Sequence, residues 1–388
     1  MSLLGLRAVV IGAGIGGLAV ARALALRGAD VTLLEQAPEI TEVGAGLQIS
    51  PNGMAVLRAL GLDRALQDAS VRARAVCLKD HRDRDVVRLD LGRLADSSYH
   101  FVHRADLIDL LAQGAREAGV KIRLLHHVTA VDGGAQPVVH LATGSRIATD
   151  LVIGADGLHS VLRPILNGPQ APFFTGQVAW RAIVPNTEAR GPEAWVHMGP
   201  GRHIVSYPLR DGRALNIVAV QERKAWADEG WHHADDPDNL RAAFADFGAG
   251  PRAMLDQVTE ARLWGLFRHP VARIWQADNL ALLGDAAHPT LPFLAQGASM
   301  ALEDAWVLAD ELARCDSLGA GLVAYQARRE GRVRRVISAA NGNAWKYHIG
   351  FPPLRMAAHA VMRLGGAVAP DRMMKQFSWL YDHDVTAE

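Results

Sequence analysis

The chain has 388 residues, which is enough for two or three domains with a sizeable hydrophobic core. Lysine plus arginine and aspartate plus glutamate each total 41, so the basic excess typical of nucleic-acid binding is missing. Cys77 and Cys315 are the only cysteines, and no run of about 20 uninterrupted apolar residues occurs. This composition predicts a cytoplasmic protein with no disulfide framework, metal site or membrane span.

The first predicted elements are a strand, a loop, a helix and a second strand. We predict a buried strand at Arg7–Ile11, a helix over residues 18–27 and a strand at Asp30–Leu34, followed directly by Glu35. The loop after the first strand reads Gly12-Ala13-Gly14-Ile15-Gly16-Gly17. This order is typical of a dinucleotide-binding unit.

Each conspicuous residue of this unit has a physical task. Gly12 allows a tight turn, Gly14 lets the backbone approach a pyrophosphate, and Gly17 lets the helix pack closely on the strand. The helix N-terminus offers N–H groups and a partial positive charge to the phosphates. Glu35, 18 residues after Gly17, is placed to accept hydrogen bonds from a ribose diol. Taken alone, the unit also fits an NAD dehydrogenase.

The other predicted elements alternate between helices and strand-rich stretches. The predicted helices cover residues 51–60, 103–118, 242–247, 298–314 and most of the last 60 residues. The predicted strands lie within residues 71–90, 120–125, 151–154, 177–184, 194–197, 203–208, 215–220 and 279–283. Asp211-Gly212 is a predicted hairpin turn. This alternation favours a sheet domain inserted into an α/β domain.

Two later glycine-bearing segments also follow predicted buried strands. They are Gly154-Ala155-Asp156-Gly157 and Gly284-Asp285-Ala286-Ala287-His288-Pro289. In open α/β sheets, ligands bind at the carboxyl ends of the strands. Three such segments, in this order, predict a chain that wraps bound FAD and does not merely borrow a soluble nicotinamide.

These motifs resemble those of the class A, single-component FAD-dependent aromatic hydroxylases. The similarity is greatest to the branch of salicylate hydroxylase and 6-hydroxynicotinate 3-monooxygenase. It rests on Gly12-x-Gly14-x-x-Gly17 with Glu35, Asp156-Gly157-x-x-Ser160-x-x-Arg163 and Gly284-Asp285-Ala286-Ala287-His288-x-x-x-Pro292, and it spans nearly the whole chain. The chain departs from the broader family pattern at Ala295 and Ser299, where Gly and Asn are usual.

The resemblance implies an α/β fold with an α+β insertion. A Rossmann-like FAD-binding domain of the glutathione-reductase type is expected from residues 1–75, 101–170 and 276–345. A β-sheet substrate domain is expected from residues 76–100 and 171–275, and a helical C-terminal segment from residues 346–388.

The resemblance also implies how FAD is held, with NADH or NADPH docking transiently. Asp285 would hold the ribityl chain, and Pro292 would lie beneath the isoalloxazine. Arg104 would contact the phosphates or the ribityl chain, although a surface arginine at a helix start is the alternative. The predicted cofactor-binding residues are Gly12, Gly14, Gly17, Glu35, Arg104, Asp156, Asp285, Pro292, Gly297 and Ala298.

The implied chemistry needs a base. In the family, NAD(P)H reduces FAD, O2 adds to give a flavin 4a-hydroperoxide, and the distal oxygen is transferred to an electron-rich ring. A phenol reacts better as its phenolate, so the protein should remove a proton and exclude water. We predict that His203 is the base and that Tyr207, on the same face of a strand, orients the ring or its carboxylate. The alternative for His203 is a satisfied histidine at a sheet edge.

Three further residues are candidates for substrate contact. They are Gln48, Arg181 and Gln296. Simple turn chemistry is the alternative for Gln48, an exposed strand arginine is the alternative for Arg181, and support of the site from behind the contacting residues is the alternative for Gln296. His288 is expected to brace its loop by hydrogen bonding.

The resulting prediction is an FAD- and NAD(P)H-dependent monooxygenase. Its substrate would be a small hydroxylated aromatic or N-heteroaromatic acid, such as salicylate, hydroxybenzoate or 6-hydroxynicotinate, hydroxylated with or without decarboxylation. The alternatives are a urate hydroxylase, a halogenase, a reductase or a non-enzymatic flavin redox sensor. A halogenase would be supported by Trp-x-Trp-x-Ile-Pro, whereas the chain has only Trp180-Arg181-Ala182-Ile183-Val184-Pro185. Either a monomer or a homodimer is compatible with the sequence.

Overall fold

The computed structural model describes residues 3–40, 45–224 and 233–387. Within them, the α-helices are α1 (Ile15–Ala25), α2 (Pro51–Ala59), α3 (Asp63–Asp68), α4 (Arg104–Glu117), α5 (Leu162–Asn167), α6 (Pro237–Ala243), α7 (Ala249–Asp256), α8 (Gly297–Arg314), α9 (Leu318–Tyr347), α10 (Pro352–Val368), α11 (Pro370–Lys375) and α12 (Ser378–Tyr381). The strands are β1 (Arg7–Ile11), β2 (Asp30–Leu34), β3 (Gly46–Ile49), β4 (Ser70–Arg72), β5 (Ala75–Asp80), β6 (Asp85–Asp90), β7 (His100–His103), β8 (Lys121–Arg123), β9 (Val128–Asp132), β10 (Val138–Leu141), β11 (Arg146–Ala148), β12 (Leu151–Gly154), β13 (Phe173–Pro185), β14 (Glu193–Gly199), β15 (Arg202–Leu209), β16 (Ala214–Glu222), β17 (His233–Asp235), β18 (Ala261–Arg268), β19 (Gln276–Ala277) and β20 (Leu280–Leu282).

A six-stranded sheet gathers the three glycine segments at one edge. Its order is β19-β20-β12-β1-β2-β8, and the strands from β20 to β8 are parallel. These strands are apolar because both faces are covered; Leu33, Val10 and Ile153 form one fully buried row across the sheet. Since β1, β12 and β20 are parallel neighbours, the loops that follow them converge.

Close helix packing explains the glycines around α1. A Cβ atom on Gly17 would lie 2.0 Å from the carbonyl oxygen of Gly12, and one on Gly16 would lie 2.4 Å from the Leu283 side chain. Gly12 itself has a φ of +101°, which favours glycine. Helix α1 packs against α8 and α4, and α8 packs against α9. The three-stranded sheet β11-β10-β9, which the sequence did not predict, contributes apolar residues to the same core.

The second domain is built on an eight-stranded sheet. Its order is β17-β18-β13-β16-β15-β14-β5-β6, with only the β14–β5 pair parallel among these strands. Helices α6 and α7 cover one face, where Trp180, Ile204 and Ile217 pack with Phe244. The predicted turn at Asp211-Gly212 joins β15 to β16. The opposite face of this sheet is turned toward the first domain.

The two domains are joined through β3, in the small sheet β3-β7-β4. The backbone N–H of Gly46 donates a 2.7 Å hydrogen bond to Asn216 Oδ1 of the larger sheet. A Cβ atom on Gly46 would lie 2.6 Å from the Tyr207 ring, so only glycine allows this approach. Helices α10 and α11 pack against β6. The predicted fold class, a Rossmann-like domain with an inserted sheet and a helical C-terminus, is confirmed.

The strands of the eight-stranded sheet can be compared with the residue ranges predicted for the substrate domain. Residues 76–100 and 171–275 contain the strands of the eight-stranded sheet, apart from Ala75 at the start of β5. Across the described ranges, no helix is both long enough and apolar enough to cross a bilayer.

Candidate active site

A cavity of about 670 Å³ lies between the two large sheets. One wall is formed by the loops at the carboxyl edge of the six-stranded sheet. The other is the uncovered face of the eight-stranded sheet, including His203, Val205 and Tyr207. All three residues line the cavity, so the prediction that they share one face of β15 is confirmed. Strand side chains alternate between the two faces, and Ile204 accordingly packs in the core on the other side.

The loop before α1 fits the phosphates of a dinucleotide. Gly14 is the N-cap of α1 and offers no side-chain cap. Among the described residues, and apart from its chain neighbours, no heavy atom lies within 4 Å of where a Cβ of Gly14 would stand. The first N–H groups of the helix are thus open to an anion in the cavity. Glu35 also lines the cavity and is held by the backbone N–H groups of Ala13 and Ala37, at 2.8 and 2.9 Å.

Asp285 brings a carboxylate to the wall of the cavity. It follows β20, and its side chain is open to the cavity while surrounded by protein. Burial raises the pKa of Asp285, and the charges of His288 and Arg104 oppose this shift. Arg104, the first residue of α4, lines the same part of the cavity. A hydroxyl-bearing chain that carries phosphates matches this pairing of acceptor and cation.

The N-terminus of α8 forms the far end of this wall. Gly297 and Ala298 are its first two residues, and both line the cavity with Pro292. Ala295 adopts a φ of +52°, in the left-handed region that favours glycine. The departure from the family pattern at Ala295 is therefore accommodated with a modest conformational cost of about 1–2 kcal/mol. Ser299 is fully buried and does not line the cavity.

Two buried side chains anchor the third glycine segment. Arg163 Nη1 donates to the carbonyl oxygens of Ala286 and Ala287, at 2.9 and 3.1 Å, which ties the second motif to the third. Asp304 of α8 accepts hydrogen bonds from the Gly284 backbone N–H, 3.1 Å away, and from His288 Nε2. His288 thus braces its loop, as expected.

Asp304 is also the buried partner of Arg329 on α9. Arg329 Nε donates a 2.7 Å hydrogen bond to Asp304 Oδ1, and both side chains are almost completely buried. Burial alone would raise the pKa of Asp304, but the charges and hydrogen bonds of His288 and Arg329 outweigh it and lower that pKa to about 2. Asp304 is therefore ionised at neutral pH.

We expect Asp304→Asn to lower the free energy of unfolding by roughly 3–5 kcal/mol, because it removes one partner of a buried ion pair. Urea unfolding followed by circular dichroism measures this loss. Asp316→Asn, at an exposed position beyond the same helix, is the control and should change stability by less than about 0.5 kcal/mol. Equal stability of the two variants would contradict this role of Asp304.

The wall that the eight-stranded sheet contributes to the cavity is a regular patch of side chains. Arg181, Val218 and Val205 stand opposite one another on β13, β16 and β15, and all three line the cavity. His203 and Tyr207 flank Val205 along β15. Two apolar residues are therefore surrounded by an imidazole, a phenol and a guanidinium, a pattern that suits a flat ring with polar substituents.

His203 is buried and tightly confined. Its Nδ1 atom lies 2.6 Å from His348 Nε2, and its ring centroid lies 5.5 Å from that of Phe293 and 5.3 Å from that of Tyr347. Burial, with a smaller effect from His348, lowers the pKa of His203 well below its usual range. The neutral imidazole is therefore available as a proton acceptor at neutral pH.

Arg181 is not an exposed strand arginine. Its guanidinium stacks over the Trp264 ring, 4.2 Å from the centroid, and lines the cavity. Burial, with the positive charge of Arg104, lowers the pKa of Arg181 to about 10, so it is still cationic at neutral pH. Within residues 3–40, 45–224 and 233–387, no carboxylate is paired with Arg181, and its Nε atom has no hydrogen-bond acceptor.

The other two predicted substrate contacts are placed differently. Gln48 lines the cavity and accepts a 2.8 Å hydrogen bond from the Tyr99 hydroxyl. Gln296 does not line it, because its amide is occupied by Ser50 Oγ at 2.9 Å and Asn52 Nδ2 at 3.1 Å. Gln296 therefore supports the turn before α8, and the structure gives it no direct route to a ligand.

Sequence reasoning overlooked several residues of the site. Trp264, His348 and Glu222 were not assigned roles, although Trp264 lines the cavity and the other two are linked to His203. The only feature of the sequence that set His348 apart was its position at the end of a helical stretch. Among the described residues, no group of three or more His, Cys, Asp and Glu side chains is placed to hold a metal ion.

Comparison with known proteins places the cavity in a family. A family model described as an FAD binding domain matches residues 6–340. The chain belongs to this FAD-binding family. This member of the family is 32% identical over 394 residues to the 3-amino-4-hydroxybenzoate 2-monooxygenase PtmB3 of Streptomyces platensis, covering 98% of this chain and 96% of that protein. It is 34% identical over 359 residues to the 3-hydroxybenzoate 6-hydroxylase of Klebsiella oxytoca, covering 88% and 89% of the two chains.

A solved structure supports the same assignment for this FAD-binding family member. HpxO of Klebsiella pneumoniae, in complex with FAD and uric acid, superposes with a TM-score of 0.85 and 27% identity over 96% of both chains. The predicted class A hydroxylase family and the FAD cofactor are confirmed. The protein is an FAD-dependent aromatic monooxygenase.

Proposed function

We propose that this protein hydroxylates a small aromatic or N-heteroaromatic acid that carries a ring hydroxyl, using O2 and NADH or NADPH. The main support for this proposal is the environment of Arg181. This buried cation lies at the cavity surface, stacks on Trp264 and has no carboxylate partner among the described residues. A buried cation calls for an anion, and a planar guanidinium binds a carboxylate in bidentate geometry. The named relatives act on 3-amino-4-hydroxybenzoate and 3-hydroxybenzoate, which are acids of this kind.

FAD would be held along the first wall of the cavity. The residues that we propose to contact it are Gly12, Gly14, Glu35, Arg104, Asp156, Asp285, Pro292, Gly297 and Ala298, all of which line the cavity. Gly17 is proposed to contribute indirectly, by letting α1 pack closely on the Gly12 loop. When bound and reduced by NAD(P)H, the flavin supplies the activated oxygen derived from O2. The protein is proposed to act in the cytoplasm.

The substrate would lie on the opposite wall. Arg181 binds its carboxylate, and the ring rests on Val205 and Val218. His203 accepts the proton of the ring hydroxyl, which raises the electron density of the ring. Tyr207, whose pKa is raised by burial, stays protonated and orients the ring with its hydroxyl. Gln48 contributes an amide at the edge of the same space.

A substrate panel tests this function. The purified holoenzyme would be given NADH or NADPH with salicylate, 3-hydroxybenzoate, 6-hydroxynicotinate, 3-amino-4-hydroxybenzoate or urate, and the products identified by mass. With at least one hydroxylated acid, we expect a product that has gained one oxygen atom, an increase of 16 mass units. If hydroxylation is decarboxylative, the product has gained one oxygen atom and lost CO2. Hydroxylation of urate alone would move the assignment to a urate hydroxylase.

We expect Arg181→Leu to raise the KM for an acid substrate by roughly 10–100-fold, because a hydrogen-bonded charge pair is worth about 1.5–3 kcal/mol. The preference for a hydroxylated acid over its carboxamide, for example salicylate over salicylamide, should fall by the same factor. The control is Arg213→Leu, whose side chain is 80% exposed in the hairpin of the same sheet. An unchanged preference in Arg181→Leu would remove Arg181 from carboxylate binding.

A further inference from the structure

A continuous line of hydrogen-bonding groups leads from the cavity to the protein surface. His203 Nδ1 lies 2.6 Å from His348 Nε2, and His348 Nδ1 lies 2.8 Å from Glu222 Oε1. The two histidine side chains are buried, whereas the Glu222 side chain is 54% exposed. Two short steps therefore connect the substrate wall to solvent.

The carboxylate at the outer end determines the tautomers of both histidines. A carboxylate can only accept, so His348 must carry its proton on Nδ1 and present Nε2 as an acceptor. His203 then carries its proton on Nδ1, because Nδ1 faces the acceptor of His348. Nε2 of His203 is consequently left without a proton, as a general base on the cavity wall requires.

The backbone around this line keeps its members in place. His348 is the C-cap of α9, and its carbonyl oxygen accepts a 3.1 Å hydrogen bond from the Gly201 backbone N–H. The Gly201 carbonyl oxygen in turn accepts a 2.9 Å hydrogen bond from the Glu222 backbone N–H. The rings of Phe293 and Tyr347 pack beside His203 and leave it little rotational freedom. Helix α9, the β14–β15 turn and the end of β16 are thus locked together at this point.

A buried base needs such an outlet. A proton retained on His203 would leave an imidazolium beside the phenolate that it has just formed, and in a buried site this favours return of the proton to the substrate. Transfer of the Nδ1 proton of His203 to His348, and of the His348 Nδ1 proton to Glu222, returns both rings to neutrality. In this sequence the substrate O–H bond breaks as the His203 Nε2–H bond forms, and one proton leaves from Glu222 to water or buffer.

We propose that His348 and Glu222 form a proton relay that carries the proton taken up by His203 out to solvent. This proposal rests on the proposed function, because it requires a substrate whose hydroxyl is ionised in the cavity. His348 and Glu222 touch neither substrate nor flavin in this scheme, so both are positioning and relay residues. Substitution of either residue should therefore change the rate of proton transfer without changing the binding of substrate or flavin.

The test follows ionisation of a bound phenol directly. Oxidised holoenzyme would be mixed with the hydroxylated acid that the panel identifies, and the phenolate absorbance followed by stopped flow. We expect His348→Gln and Glu222→Gln to slow the appearance of phenolate roughly tenfold or more, with unchanged FAD content and ligand Kd. Glu222→Asp should retain most of the rate. Glu260→Gln, at an exposed carboxylate of the same domain, should match the wild type.

Chemical rescue separates a relay from a merely structural contact. In Glu222→Gln, imidazole buffer should restore the rate in proportion to its concentration, since an external base replaces the lost acceptor. Wild-type rates in both His348→Gln and Glu222→Gln would overturn the relay alone and leave the proposed function standing. Slow variants that lose FAD or ligand affinity and ignore imidazole would also overturn it. Failure of the wild type to ionise or hydroxylate any acid would overturn both proposals.

Discussion

The His203→Ala enzyme is expected to hydroxylate its substrate roughly 10²–10⁴-fold more slowly than the wild type, the usual contribution of a positioned proton acceptor. FAD content should not change, because His203 lies on the substrate wall, opposite the glycine segments. The turnover number at saturating acid, measured as product formed, is the decisive quantity. NADH consumption alone is insufficient, because reduced flavin can react with O2 without hydroxylating the substrate.

The pH dependence of the same variant distinguishes a base from a packing residue. Burial keeps the pKa of His203 well below its usual range, so wild-type ionisation of the substrate should vary little between pH 6.5 and 8.5. Without the base, turnover should rise with pH by up to tenfold per unit, as the phenolate fraction in solution does. His140→Ala, at a partly exposed site in the β9–β11 sheet, is the control. An unchanged turnover number and a flat profile in His203→Ala would remove this residue from the mechanism.

The cofactor side of the site was predictable because its residues are constrained by the backbone. Position 17 must be glycine because a Cβ atom there would lie 2.0 Å from the Gly12 carbonyl oxygen. Asp285 closely follows the short buried strand β20. Such constraints act over a few residues and leave a pattern in the sequence. The alternation of His203 and Tyr207 on one strand is equally local.

The remaining parts of the site depend on contacts between distant segments. His203 and His348 are 145 residues apart, and His348 and Glu222 are 126 residues apart, so no spacing rule links them. The sequence around Arg181 favoured an exposed strand arginine over a pocket residue, and the stacking on Trp264 from β18, which places Arg181 at the cavity, is a contact with a distant segment. The surroundings of Gln296 depend on distant residues in the same way, since Ser50 and Asn52 hydrogen-bond to its amide from another segment.

Purified Asp285→Ala is expected to be colourless. The Asp285 carboxylate would accept hydrogen bonds from the hydroxyls of the ribityl chain, and hydrogen bonds to a charged group are worth about 1.5–3 kcal/mol each. Two such bonds correspond to a loss of roughly 10²–10⁴-fold in affinity for FAD. The ratio of flavin absorbance to protein absorbance measures the loss. Asp256→Ala, at an exposed carboxylate at the end of α7, should remain yellow.

Added FAD distinguishes a lost contact from a misfolded domain. A ligand that binds only the native state stabilises it by about 2.7 kcal/mol at 100 times its Kd. The wild-type apoprotein should therefore gain thermal stability with FAD at a concentration that leaves Asp285→Ala unchanged, while both apoproteins unfold at similar temperatures without it. A variant that unfolds far earlier than the wild-type apoprotein would indicate a structural role for Asp285. Stoichiometric flavin retained by Asp285→Ala would instead mean that the glycine loop, Glu35 and Arg104 suffice to hold the cofactor.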